Sequence, residues 1–203
     1  MSFFKQCLVG IICTLLLAAT VSAAAPGPME KINATVDEVL SILKNKEIDK
    51  SARRGQLRCA IFSRFNFDEM AQRILALNWK KATDQQRSEF VTIFSELLER
   101  NYVGHIESYT DEKVEFIKER IIGNRAAVDS VIYTNTVEIP ISYRLVQVED
   151  DWKVYDVVIE NVSFINNYRS SYGEIVKDEG FDGLLTRMSE KLEELKQSNG
   201  NPS

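Results

Sequence analysis

Trp152-Lys153-Val154-Tyr155-Asp156-Val157-Val158-Ile159-Glu160-Asn161-Val162-Ser163, continued by Phe164 to Arg169, is the stretch on which the fold turns. It reads as a strand that leaves a sheet and passes directly into a helix. Further on, Glu179-Gly180-Phe181-Asp182-Gly183-Leu184-Leu185 sets a phenylalanine between two glycines where a helix restarts.

Upstream of this strand the pattern alternates, and three more runs precede it: Val114 to Ile121, Arg125 to Tyr133 and Val137 to Val148, with the fourth run taken as Trp152 to Val162. Gly123-Asn124 and Glu149-Asp150-Asp151 are turn-type separators, so the four runs predict antiparallel hairpins. In the third run Val137, Ile139, Ile141, Tyr143 and Leu145 alternate with Glu138, Pro140, Ser142 and Arg144. One face is therefore apolar and the other wet. Pro140 has no N–H to give a ladder, which predicts an edge position or a bulge there.

Before the sheet the period is helical. Met29, Ile32, Val36, Val39, Leu40 and Leu43 form one stripe of a helix ending near Asn45, and a shorter helix is expected from Lys50 to Phe62. Asp68 is the expected cap of a third helix, with Met70, Ala71, Ile74 and Leu75 on one face and Trp79 closing the unit. Thr83 and Gln86 make a capping box for a long helix reaching about Gly104, whose apolar side carries Phe90, Ile93, Phe94, Leu97, Leu98 and Tyr102. After the sheet, Ile165 to Lys177 and Gly183 to Lys196 read as two further helices. The order predicts an α+β fold: a four-stranded antiparallel sheet with helices packed on one face.

The first residues have the layout of a secretory signal, with Lys5, an apolar core from Leu8 to Ala19 and a small-residue cleavage site at Val21-Ser22-Ala23. Residues 1–23 are expected to be removed, leaving one domain, 24–203, free of any lipid anchor or membrane span. Cleavage takes Cys7 and Cys13 as well, so Cys59 is the one remaining thiol and no intramolecular disulfide can form. Cys59 is expected as a small buried hydrophobe on its helix. The net charge of -5, which becomes slightly more negative on cleavage, gives no support to a nucleic-acid partner.

With His105 the single histidine, zinc sites of the Cys and His type and Ser-His-Asp triads cannot be assembled, and there is no glycine-rich phosphate loop. Carboxylates are the catalytic resource left. Asp156 and Glu160 fall on one face of the fourth strand, and an Asp156 base aided by Tyr168 would need an apolar cavity around the acid. Two acids on one strand face more often mark a solvated face.

The fourth strand with its helix, the Gly180 to Leu185 cluster, Phe67-Asp68-Glu69-Met70-Ala71, Lys80-Lys81-Ala82-Thr83 beside Trp79, and Phe90 to Gly104 together resemble the MlaC family, also called toluene-tolerance proteins. The resemblance covers nearly the whole mature chain. Asn161 departs from it, since the family pattern favours glycine there, but Asn tolerates a positive φ better than most residues. The resemblance implies a monomeric cone related to the NTF2-like fold, with a deep apolar pocket between sheet and helices. It further implies a non-enzymatic periplasmic carrier that takes phospholipid as cargo, without a cofactor or metal. Its implied partners are an outer-membrane lipoprotein and porin complex and an inner-membrane ABC transporter with an MCE-type substrate-binding subunit, which together maintain outer-membrane lipid asymmetry. Two acyl chains in water would cost on the order of 20 kcal/mol, which is why such a carrier is needed.

The expected lipid-contacting residues are Phe90, Phe94, Leu97 and Tyr102 from the long helix and Ile139, Ile141 and Tyr143 from the third strand. Val157, Ile159, Phe164 and Tyr168 are further candidates, and Arg169 is a candidate for either a phosphate or a structural contact. Two other functions fit the residues alone: a small ketosteroid-isomerase-like enzyme with a buried acid, and a periplasmic adaptor with a filled core and an exposed apolar patch.

Overall fold

The computed structural model describes residues 25–107 and 112–199, and the expected signal segment lies outside them. Helix α1 (Pro28–Lys44) opens on a proline, whose missing N–H costs nothing in a first turn. It pairs with α2 (Lys50–Phe62), which starts where Asp49 accepts hydrogen bonds from the backbone N–H groups of Ser51 and Ala52. Cys59 lies on α2 and is exposed, contrary to the buried position expected for it. Its side of the helix faces away from Leu57 and Ala60, the residues α2 buries.

Helix α3 (Phe67–Leu75) is capped by Asn66, whose side chain accepts from the Glu69 N–H; Asp68, the expected cap, lies inside the first turn. A short α4 (Leu77–Lys81) contains Trp79. The capping box holds as read, with Thr83 Oγ1 accepting from Gln86 N at 3.2 Å and Gln86 Oε1 accepting from Thr83 N at 2.9 Å. It opens α5 (Asp84–Ile106).

Strands β1 (Lys113–Ile122), β2 (Arg125–Tyr133), β3 (Glu138–Val148), β4 (Asp151–Ile159) and β5 (Val162–Ser163) form one antiparallel meander in chain order. Among the described residues there are thus five strands, where four were expected. The fourth run is cut because Glu160 and Asn161 sit at φ 49° and 68°. Two successive positive φ values make a tight two-residue hairpin turn of type I′ character, which pairs Ile159 with Val162. Asn161 takes the left-handed conformation that its side chain allows.

Pro140 is on β3, which has β2 on one side and β4 on the other, so it is not on an edge strand. Its carbonyl accepts from Glu160 N at 3.1 Å, just past the last residue of β4. Because N–H and C=O of one residue point the same way across an antiparallel ladder, the missing donor falls where β4 has already ended. The bulge lies elsewhere: Arg144 pairs with Asp156 and Leu145 with Val154, which leaves Tyr155 as an extra residue. The other side of β4 is closed by residues 64–66, through Asn66 N to Val154 O and Val154 N to Arg64 O, each 2.8 Å.

Helix α6 (Phe164–Asn199) follows β5 without a linker and breaks at Gly180, φ 74° and ψ −177°. The two helices expected here are present and meet at that kink. Gly183 is required by space, since a Cβ there would lie 2.5 Å from Glu179 Cβ.

Candidate functional site

Two apolar regions share the sheet and the helices, and only one is filled. Met70, Ala71 and Ile74 of α3, Phe90, Phe94 and Leu97 of α5, and Leu184, Met188 and Leu192 of α6 pack into one buried cluster. Aromatic rings interlock across it: Phe94 meets Tyr168 edge to face at 5.2 Å and Phe90 meets Tyr172 likewise at 5.8 Å. Burial pushes the phenols of Tyr168 and Tyr172 far above the ordinary tyrosine range.

The second region is hollow. Between the α1–α2 hairpin and the sheet lies a cavity of about 460 Å³. Ile32, Val36, Val39 and Leu43 of α1 with Ile61 and Phe62 of α2 form its roof. Val114, Ile132, Ile139, Ile141, Tyr143, Val157 and Ile159 form its floor. Leu98, Tyr102 and Phe164 divide it from the filled cluster, with the Tyr102 and Phe164 rings 4.8 Å apart. Burial raises the Tyr143 phenol, partly offset by the Ser130 hydroxyl beside it.

Of the candidates named from sequence, Tyr102, Ile139, Ile141, Tyr143, Val157, Ile159 and Phe164 line the cavity. Phe90, Phe94, Leu97 and Tyr168 do not; they belong to the filled cluster. The roof was missed altogether, although the α1 stripe was visible as an amphipathic pattern. Arg169 is not among the cavity-lining residues and donates from Nε to the Arg73 carbonyl at 2.8 Å, fastening α6 to the end of α3.

Charged residues stand beside the hollow as well. Both roots of the helical hairpin converge on Asp151 of β4. Lys31 of α1 reaches it at 3.0 Å, Arg64 just after α2 at 3.0 Å and Lys153 at 3.1 Å. Burial alone would raise the Asp151 carboxyl, but hydrogen bonds from Lys31 and Lys153 and the charge of Arg64 bring it down to about 2. Glu112, just before β1, and Glu160, just after β4, are also among the lining residues.

Asp156 is not on a solvated face. It lies under the start of α6, where it is 1 % exposed. It accepts from Arg144 at 3.0 Å, from Ser163 Oγ at 2.8 Å and from Ile165 N at 3.1 Å, while Ser163 Oγ accepts from Asn166 N. This carboxylate therefore completes the N-terminus of α6 and does not line the cavity. Glu160 is separated from it by the turn and is exposed. Among the described residues no group of His, Cys, Asp and Glu side chains could hold a metal ion, and no helix is long and apolar enough to cross a membrane.

Comparison with known proteins bears on the same architecture. The chain is 23 % identical over 187 residues to the intermembrane phospholipid transport system binding protein MlaC of Haemophilus influenzae, covering 87 % of each. It is 24 % identical over 180 residues to toluene tolerance protein ttg2D of Pseudomonas putida, covering 85 % of this chain and 84 % of that one. The phospholipid-binding protein of Ralstonia solanacearum, solved in complex with a phospholipid, superimposes with a TM-score of 0.75 at 23 % identity, over 86 % of this chain and 99 % of that one. The likeness shows that the two share a fold. The family model described as MlaC protein matches residues 33–190, most of the 203, and on that match the chain belongs to the MlaC family.

Proposed function

We propose that this protein is a phospholipid carrier and that the hollow between the α1–α2 hairpin and the sheet holds the acyl part of its cargo. The observation that carries the reading is the cavity itself. Its volume of about 460 Å³ falls within the roughly 300–1,000 Å³ of ligand pockets, and its walls are almost wholly apolar. A core built only for stability fills such space, because each missing contact weakens it. A neighbour of the same fold was solved with a phospholipid, and a relative is named for phospholipid transport between membranes.

Each methylene taken from water is worth about 0.8 kcal/mol, so a chain of ~15 methylenes gains about 12 kcal/mol on entering an apolar cavity. That is close to what the bilayer itself offers, which makes transfer nearly neutral and leaves direction to partners. In this reading the protein works in the periplasm, receiving and delivering lipid between an outer-membrane lipoprotein and porin complex and an inner-membrane ABC transporter. It does no chemistry on the lipid, and the buried acid best suited to a catalytic base, Asp156, is already held by three partners.

The test is native mass spectrometry of the purified protein before and after incubation with phospholipid vesicles, followed by lipid extraction. Wild-type protein is expected to carry lipid in stoichiometric amount. Ile141→Arg, which sets a guanidinium into the apolar floor, is expected to fold and to retain at least tenfold less lipid. A wild-type protein that stays free of lipid contradicts the proposal.

A further inference from the structure

The walls of the cavity are almost wholly apolar, and several of the polar side chains among them are already engaged. Thr35 Oγ1 donates to the Lys31 carbonyl at 2.9 Å and accepts from Arg64 Nε at 3.3 Å, while Arg64 Nη1 rests on Asp151. The Tyr102 hydroxyl interacts with that of Tyr168. Tyr143 is different, because its polar neighbour is a second hydroxyl set into the same apolar floor. Ser130 of β2 has the parity of Ile132, a floor residue two positions on, and pairs with Ile141 of β3 on one side and Phe116 of β1 on the other. Tyr143 pairs with Val128, which puts it on the diagonal from Ser130, a separation that a tyrosine side chain spans. Ser130 is only 2 % exposed, and its Oγ has no hydrogen-bond partner at normal geometry. It nevertheless acts on the Tyr143 phenol, opposing the upward push of burial, which is the effect of a serine O–H turned toward the phenol oxygen.

A buried hydroxyl left unpaired costs stability, so a floor that had only to be apolar would carry alanine and phenylalanine at these two positions. We infer that Tyr143 and Ser130 form a hydrogen-bonding seat for an ester carbonyl of the cargo, by which the cavity distinguishes acyl from alkyl chains. The inference rests on the carrier reading. Ester carbonyls are the hydrogen-bonding atoms that a phospholipid carries directly on its chains, whereas its charged phosphate is far more costly to bring into an apolar space. In the loaded protein the Tyr143 O–H donates to the carbonyl oxygen and the Ser130 O–H donates to the phenol oxygen, so that both hydroxyls are satisfied and each bond strengthens the other. An ether-linked lipid of the same chain length has no carbonyl to offer. One hydrogen bond of ordinary net strength corresponds to a preference of about 2- to 10-fold.

The probe is vesicles of equal parts dipalmitoyl phosphatidylcholine and its di-O-hexadecyl ether analogue, and the readout is the ratio of the two lipids recovered with the protein. Wild-type protein is expected to be enriched ~2- to 10-fold in the ester lipid relative to the vesicles. Tyr143→Phe should load the same total amount of lipid at the vesicle ratio, and Ser130→Ala should fall between the two. With ester lipid carrying ¹³C at its carbonyls, the infrared carbonyl band of the wild-type complex should lie at lower frequency than that of the Tyr143→Phe complex. Wild-type protein that loads both lipids at the vesicle ratio, or a Tyr143→Phe variant that keeps the full ester preference, overturns the seat and leaves the carrier reading standing. Wild-type protein that loads neither lipid overturns both.

Discussion

The cluster of α3, α5 and α6 and the region roofed by α1 and α2 are built from the same residue types, yet one is packed throughout and the other encloses a cavity. Ile74 in the first is 1 % exposed and Ile141 in the second 9 %, so both are buried by the same measure. The difference lies in what surrounds them. Ile74 has neighbours in the interlocked cluster with Phe90 and Phe94, whereas Ile141 forms part of the floor of a 460 Å³ space. The first region is packed throughout, whereas the second packs Val128, Leu145 and Val154 beside a space left open.

Mutations separate the halves. Ile74→Ala should cost about 4 kcal/mol, because the packed neighbours cannot collapse into the space, and should lower the melting temperature by roughly 10 °C. Asp156→Ala should cost about 3 kcal/mol in chemical denaturation, by stripping the α6 N-terminus and leaving Arg144 without its partner. Ile141→Ala removes the same atoms as Ile74→Ala but from a wall that already borders a void, so about 1.5 kcal/mol is expected. Equal losses at Ile74 and Ile141 would erase the distinction between the two regions.

The smallest effect concerns the clamp at the root of the hairpin. Asp151 has its carboxyl lowered from 3.8 to about 2 in the folded protein. A depressed folded value means that the clamp contributes fully above about pH 4 and is lost as pH falls toward 2. Unfolding titrations should show this loss, and Asp151→Asn should flatten the curve over that window. Because the group is partly exposed, solvent screening keeps the change small.

Local rules made most of the elements readable in advance. The Thr83–Gln86 box, the alternation of β3 and the two glycines near Phe181 each depend on neighbours in sequence, and each has its counterpart in the structure. Asp156 was misread because β5 and the start of α6 cover its end of β4, bringing Ser163 and Ile165 onto its carboxylate, which strand alternation alone does not show. The division of the apolar residues was also hidden. Phe90, Phe94 and Leu97 carry a helical stripe as clear as that of Val36, Val39 and Leu43. Only the helix packed opposite decides which stripe is filled and which borders the hollow. The fold and about two thirds of the floor and partition residues could be read from periodicity and resemblance, but the roof could not.

Photo-crosslinking with a phospholipid that carries a diazirine near the end of one acyl chain tests the hollow most directly. After irradiation of the loaded protein, peptide mapping should place adducts on cavity residues such as Val39, Ile141 and Val157, with Phe94 and Leu184 unmodified. Adducts confined to the α3–α5–α6 cluster, or spread over the outer surface, would contradict the assignment of the hollow as the acyl-chain site.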